Sequence, residues 1–324
     1  SEYQTWSRDI IMFHESSRGK INRRRPSRLV MDEDELNMTL ARLVKTSWLS
    51  VHRTNTYDKG DGQEYKSPVD IKLEQILGEL GEYFSTLDKL SFLEQNNFQE
   101  NVFLALLYEG EKEASNVIFK SHSERELKEE QEQLLEIFAK FEISHRRAKN
   151  KVDAHFKSVR DANKILDSKD KLEWKHIMPM VLNGRIDTLI EEWHKFNKRR
   201  DEIFEPQTKF IDVLNRLFQR KSVSINNRNR LDIITQSGKS LHFSALSSGE
   251  KQLLIVLAQA LLQRSEKWVY IADEPELSLH VKWQDQLVNN IRVLNPNAQI
   301  IFATHSPDIV GHYSDRVHDM EQKF

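Results

Sequence analysis

A chain of 324 residues, 38% hydrophobic and 30% charged, can bury a sizeable core, yet it carries more charge than a compact globule needs and so points to long solvated helices. Its net charge of −2 offers no whole-molecule attraction to nucleic acid or to an acidic membrane, so such binding must come from local patches. The absence of cysteine excludes disulfides, thiolate metal sites and cysteine nucleophiles and is compatible with a reducing compartment. No apolar run approaches the roughly 18 to 20 residues that span a bilayer, and the start Ser1-Glu2-Tyr3-Gln4 lacks a signal-peptide pattern, so a soluble cytoplasmic protein without membrane contact is expected. The missing initiator methionine suggests part of a longer chain.

Residues 1–70 read as the remnant of a first lobe. An apolar segment, Ile10 to Phe13, is followed by the cations Arg18, Lys20, Arg23, Arg24, Arg25 and Arg28 and then by Asp32 to Glu35. The basic run reads first as a solvated loop paired with its acidic neighbour and second as a contact for a phosphate backbone. Ser47 to Arg53 alternates as a strand does.

Residues 71–220 form an inserted helical domain. Leu134, Phe138, Phe141, His145, Ala148, Val152, His155, Val159, Ala162 and Leu166 step by fours and threes, a heptad seam that predicts one coiled helix. His145 and His155 on that seam read as polar register markers rather than metal ligands. A second seam runs from Leu189 through Trp193, Phe196, Arg200, Ile203, Gln207, Phe210 and Leu214 to Leu217. The break between them, Asp167 to Asp170 with Pro179 and Gly184, predicts an antiparallel hairpin, and Pro206 should kink or end the second arm.

Residues 221–324 form a C-terminal lobe. Strands are expected at Ser222 to Ile225, Leu231 to Ile234 and Leu241 to Phe243, with a turn at Gln236-Ser237-Gly238-Lys239. Helix 250–263, strand 268–272, helix 280–294 and strand 299–304 then alternate, which argues for a parallel α/β sheet.

Four segments carry the chemistry. Leu246-Ser247-Ser248-Gly249-Glu250-Lys251-Gln252 opens an apolar helix, where small residues and free N–H groups suit an anion, although a serine-glycine helix start is also an ordinary cap. The strand Trp268 to Ala272 delivers Asp273 and Glu274 at its end, a place for one carboxylate to hold Mg2+ and the other to act on an attacking water. Glu276-Leu277-Ser278-Leu279-His280 leads into the next helix. The strand Ile300 to Ala303 ends in Thr304-His305-Ser306-Pro307, so His305 emerges beside the acidic pair if the two strands are neighbours.

In this order the segments resemble the ABC ATPase superfamily, with LSSGEKQ as signature, YIADEP as Walker B, ELSLH in the place of the D-loop and ATHSP as the switch-histidine segment. The wording LSSGEKQLL with DEPELSLH is similar to the SMC, RecF and OLD branch, which includes ATPase subunits of bacterial anti-phage systems such as PARIS and Septu. The resemblance implies an α/β ABC-type head with a mainly parallel sheet interrupted by an inserted helical, coiled-coil hairpin. It implies ATP and Mg2+ as ligands, with Asp273 on the metal, Glu274 and His305 catalytic, and Ser247, Ser248, Gly249, Glu250 and Ser278 at the nucleotide across a head-to-tail homodimer. A defence ATPase of this kind controls a separate effector, a nuclease or toxin acting in trans; a DNA-repair or DNA-end-binding ATPase is the other reading, with DNA as partner.

The departure is the phosphate loop. No G-x-x-x-x-G-K-[ST] occurs: Gly19-Lys20 is followed by Ile21 and preceded by His14 in place of the first glycine, and Gly238-Lys239-Ser240 has Ile233 there. Either a preceding segment of the protein supplies that loop or the ATPase is degenerate, and the intact Asp273, Glu274 and His305 favour the first. The 324 residues alone are not expected to hydrolyse ATP, since nothing in them replaces the lysine and backbone nest on the phosphates. For the Q-loop the candidates are Gln95 and Gln99.

Overall fold

The computed structural model describes residues 11–14, 45–49, 67–107, 122–168, 171 and 173–319, the first two segments as backbone only. Arg18, Lys20, Arg23, Arg24, Arg25 and Arg28, the stretch 50–53 and most of the expected first lobe lie outside the described residues. The chain divides into two compact units, Ser1–Thr86 with Phe204–Phe324, and Leu87–Ile203.

In the first unit, five strands form a parallel sheet: β1 (Ile11–His14), β2 (Lys45–Leu49), β5 (Trp268–Asp273), β6 (Gln299–Ala303) and β7 (Val317–Asp319). Their order is β2-β5-β6-β1-β7, with Val269 opposite Gln299 and Asp273 opposite Ala303 in the β5/β6 pair. Tyr270, Ala272, Ile300 and Phe302, alternate residues of β5 and β6, are buried, and Val269, Ile271 and Ile301 between them are half-buried. Helix α5 (Ser248–Leu262) is apolar on every side, and Leu253, Leu254, Val256, Leu257, Ala258, Ala260 and Leu261 are all buried, as a helix central to a core must be. Helix α6 (Val281–Leu294) buries one face, Leu287, Val288, Ile291 and Leu294, and exposes the other.

A two-stranded antiparallel sheet, β3 (Lys221–Ile225) and β4 (Leu231–Thr235), belongs to the same unit. The turn after β4 uses Gly238 at φ 77°, with its N–H donating to the Thr235 carbonyl at 2.9 Å. The third strand expected at Leu241 to Phe243 is replaced by a single bridge between Ile234 and Ser240 and a 3-10 turn at Phe243–Ala245, because the His242 ring caps that turn through the Ser244 N–H. The start of helix α1 (Pro68–Ala105) and the end of helix α4 (Trp174–Leu217) complete the unit, with Phe84 and Phe210 ring centroids 6.5 Å apart.

The second unit is helical. The seam from Leu134 to Leu166 is not one helix: α2 (Glu124–Lys140) and α3 (His145–Ser168) are separated by a turn at residues 141–144, with Glu142 at φ 56°. The two run antiparallel, Arg160 reaching Glu124 at 2.6 Å and Gln131 reaching Asp153 at 2.7 Å. Leu127 and Leu134 pack with Val152, Phe156 and Val159, and Ile186 and Leu189 of α4 lie against them. The heptad spacing is preserved because each half supplies one wall of the same core. The break expected at Asp167 to Asp170 is present, since α3 ends at Ser168 and α4 begins at Trp174; α4 then contains Pro179 and Gly184 without interruption and does not end at Pro206. Among the described residues no helix is long and apolar enough to cross a membrane.

Candidate functional site

The strands β5 and β6 lie side by side and parallel, so their C-terminal ends open on the same edge of the sheet. Asp273 is the last residue of β5. Glu274 follows with φ 45°, and its N–H donates to the Ala303 carbonyl at 2.7 Å, which extends the ladder one residue and then turns the chain sharply away. A non-glycine residue there is strained, by about 1–2 kcal/mol. On the neighbouring strand end, the His305 Nε2 is 3.6 Å from the Glu274 Oε1, with both side chains part exposed.

Glu276 holds this edge together. Its Oε1 accepts from the Thr304 hydroxyl at 2.5 Å, the His305 N–H at 3.0 Å and the Ser306 N–H at 3.1 Å, and the residue is 9% exposed. Charge-assisted bonds of this kind are the strong ones, and three of them fix the backbone on which His305 stands. Gln284 supports the same turn, donating to the Leu279 carbonyl at 3.0 Å and accepting from the Ser306 hydroxyl at 2.7 Å. Ser306 also caps the short helix Pro307–Val310.

The start of α5 docks on the turn from Glu274 to Leu279. Ser247 caps the helix in a capping box with Glu250: the Glu250 N–H donates to the Ser247 hydroxyl at 3.3 Å, and the Ser247 N–H and hydroxyl donate to Glu250 Oε2 at 2.9 and 3.0 Å. Lys221 pairs with the other oxygen of Glu250. Burial pushes Glu250 up, but Lys221 and Ser247 outweigh it and hold the carboxyl below its usual range. Gly249 is buried, and a Cβ there would lie 2.3 Å from the Ser278 carbonyl oxygen, a close approach that only glycine permits. Ser248 is exposed, as is Ser278, which has φ 71°. The Gln252 amide donates to the Pro275 carbonyl at 3.1 Å, and Lys251 reaches Asp70 at 2.7 Å.

Ser247, Ser248, Gly249, Glu250, Asp273, Glu274, Ser278 and His305 therefore share one unit. Within one chain the structure brings Glu274 to His305 and Gly249 to Ser278. Gln95 and Gln99 are exposed residues of α1 in the other unit. Glu276 and Gln284 do not stand out in the sequence; the signal for Glu276 is a carboxylate placed between a buried Pro275 and a buried Leu279, where it must find donors.

A buried parallel strand ending in two carboxylates, a neighbouring strand ending in histidine and a capped helix start docked on the turn between them are the parts of an ABC-type ATPase. The chain belongs to the family described as "AAA domain, putative AbiEii toxin, Type IV TA system", whose profile matches residues 55–311. It is 30% identical over 164 residues to the "Retron Vc95 probable ATPase" of Vibrio cholerae serotype O1 biovar El Tor, covering 44% of this chain and 32% of that protein. It is 32% identical over 92 residues to the Septu protein PtuA of Bacillus thuringiensis, covering 24% and 23%, respectively. With the DNA double-strand break repair Rad50 ATPase of Sulfolobus acidocaldarius it shares 28% identity over 132 residues, 38% of this chain and 15% of that one. The matches thus span about a third or less of the length of these relatives. Among solved structures, the Smc head domain with an extended coiled coil from Pyrococcus furiosus, bound to the C-terminal domain of ScpA, aligns with 74% of this chain and 50% of that one. Its identity is 16% and its TM-score 0.28, which adds nothing to the family assignment.

Proposed function

We propose that the chain forms the signature, Walker B and switch-histidine part of an ATP-hydrolysing head that closes head-to-tail on a second copy around ATP. The observation that carries this reading is the 3.6 Å approach of His305 to Glu274 at the ends of adjacent parallel strands. Glu276 is buried, with Oε1 bound to Thr304, His305 and Ser306, which leaves Asp273 and Glu274 as the more accessible carboxylates of the strand end. Carboxylate oxygens suit a hard divalent cation, so the pair fits Mg2+, with Asp273 as its holder. Bound there, Mg2+ would neutralise charge on the β- and γ-phosphates. Glu274 would orient and deprotonate the attacking water, and His305 would donate a hydrogen bond to the γ-phosphate.

With Ser247 used as a cap and Gly249 packed on Ser278, Ser248 is the exposed residue of the signature that can meet a partner's nucleotide. Hydrolysis would then open the pair and gate a conformational change. The likenesses to the retron and Septu proteins favour a sensor or scaffold ATPase of an anti-phage system that controls a separate nuclease or toxin. The likeness to Rad50 supports the second reading, a DNA-end-binding ATPase, with residues 18–28 as its contact.

ATPase assays on the full-length gene product test the proposal. Glu274→Gln should bind ATP without turning it over and accumulate as a nucleotide-bound dimer; unchanged turnover in that variant overturns it. Turnover stimulated by DNA and weakened by salt would favour the DNA-end reading, and stoichiometric co-purification with a neighbouring effector would favour the defence reading.

A further inference from the structure

A cluster of metal-binding groups lies in the helical unit, away from the residues discussed so far. His122 directly precedes Ser123, the N-cap of α2; Glu130 is on α2 and Asp187 on α4. The His122 Nε2 is 3.2 Å from Asp187 Oδ2 and 3.8 Å from Glu130 Oε1. One imidazole nitrogen and one oxygen from each carboxylate all lie within 4.8 Å of one another. Donors around a tetrahedral ion bound at about 2.0–2.2 Å are separated by about 3.3–3.6 Å, so the His122–Asp187 pair is near the spacing of a coordination shell and Glu130, 3.8 Å from His122, has only a short distance to close.

The surroundings are built to hold such a shell. Asn163 of α3, 7% exposed, donates to the His122 carbonyl at 3.0 Å and so fixes the residue before α2. Asn183 of α4 is fully buried, one turn before Asp187. Its amide nitrogen is 3.1 Å from Glu130 Oε2 and 3.5 Å from Asp187 Oδ1, while its Oδ1 makes no well-formed hydrogen bond and interacts only with the ring of His155. A buried carbonyl oxygen without a donor is costly, by about 1–3 kcal/mol. A half-turn of the amide would direct that oxygen at two carboxylates, which repel it unless a cation lies between them.

We propose that His122, Glu130 and Asp187 bind one divalent transition-metal ion of the Zn2+ or Mn2+ type, with the Asn183 carbonyl oxygen as fourth donor. One imidazole with oxygen donors is a mixed set that such ions accept and that Mg2+, which prefers oxygen and retained water, takes poorly. The ion would tie the entry of α2 to α4 and stabilise the helical unit by mass action.

The test is metal binding by the whole chain without nucleotide, after chelator treatment and dialysis. Titration calorimetry with Zn2+ and Mn2+ should give one equivalent per chain, with Mg2+ far weaker, and Zn2+ should raise the melting temperature. Asp187→Asn and His122→Ala should lose that equivalent, whereas Asp273→Asn should keep it, which separates this site from the nucleotide site. No stoichiometric Zn2+ or Mn2+ binding, or binding unchanged in Asp187→Asn, overturns the proposal. Should those variants fail to fold, Co2+ added to the wild-type chain decides: intense visible bands of a four-coordinate ion support the site, and the weak spectrum of the hydrated ion overturns it.

Discussion

Nε2 of His305 lies 3.6 Å from Oε1 of Glu274, although the two residues stand on separate strands, and parallel pairing of Asp273 with Ala303 sets that distance. In the full-length protein, Glu274→Gln should lower ATP turnover by about 100-fold or more, the scale of a lost general base. Equilibrium binding of a fluorescent ATP analogue should be unchanged, and size-exclusion chromatography should show a dimer that persists with ATP. Ser248→Arg should prevent that dimer while leaving ATP binding intact, since the side chain is exposed.

Glu274 also adopts a left-handed backbone that favours glycine. Glu274→Gly should therefore be as stable as the wild type or more stable by up to about 1 kcal/mol, while turnover is lost. Thermal melts of the two proteins check this, and a clear drop in melting temperature would mean that the turn is not strained.

Glu276 is the anchor of the histidine segment, with three donors on one oxygen. Glu276→Ala should cost about 2–4 kcal/mol by leaving buried donors unpaired. Hydrogen exchange should quicken at His305 and Ser306 in particular. Thr304→Val should remove only the hydroxyl contact and cost about 1–2 kcal/mol.

Gly249→Ala should cost about 1–3 kcal/mol, because a methyl group cannot share space with the Ser278 carbonyl. Chemical denaturation compares it with Ser248→Ala, which should be near neutral because the side chain is exposed.

Acid should weaken the first unit through two depressed carboxyls. The Lys251 contact, then the Ser67 hydroxyl, hold Asp70 below its usual range, and Glu250 is held down by Lys221 and Ser247 against its burial. A carboxyl lowered in the folded state contributes stability that is complete above its unfolded pKa and is lost as pH falls through the folded one. The melting temperature should fall from about pH 4–4.5 downward. The gap between wild type and Asp70→Asn, present at pH 7, should close in that window; a gap that persists at low pH would contradict the assignment.

Much of the first unit was legible because its signals are local. Apolar runs of strand length, the Ser247/Glu250 box and turn residues such as Gly238 locate β3 to β6, α5 and α6 nearly to the residue. The helical unit was harder. The turn at residues 141–144 contains neither glycine nor proline, and Glu142 takes its positive φ without a sequence cue, so an unbroken heptad concealed a hairpin. Pro206 does not end α4, which runs on to Leu217. In the site, the residues proposed to bear chemistry come from their motifs, whereas Glu276 and Gln284 could not be named that way, because their role depends on which backbone groups the fold leaves needing a donor or acceptor.

The contact of Gly249 with Ser278 has a mechanical corollary. With no room for even a methyl group, α5 cannot slide over the turn that begins at Glu274; the two must shift as one stiff piece. In the symmetric pair proposed above, a carboxylate turn displaced by events at one nucleotide would drag along Ser248, the residue proposed to face the other. Each copy would thereby act as a lever between two pockets that share no atoms.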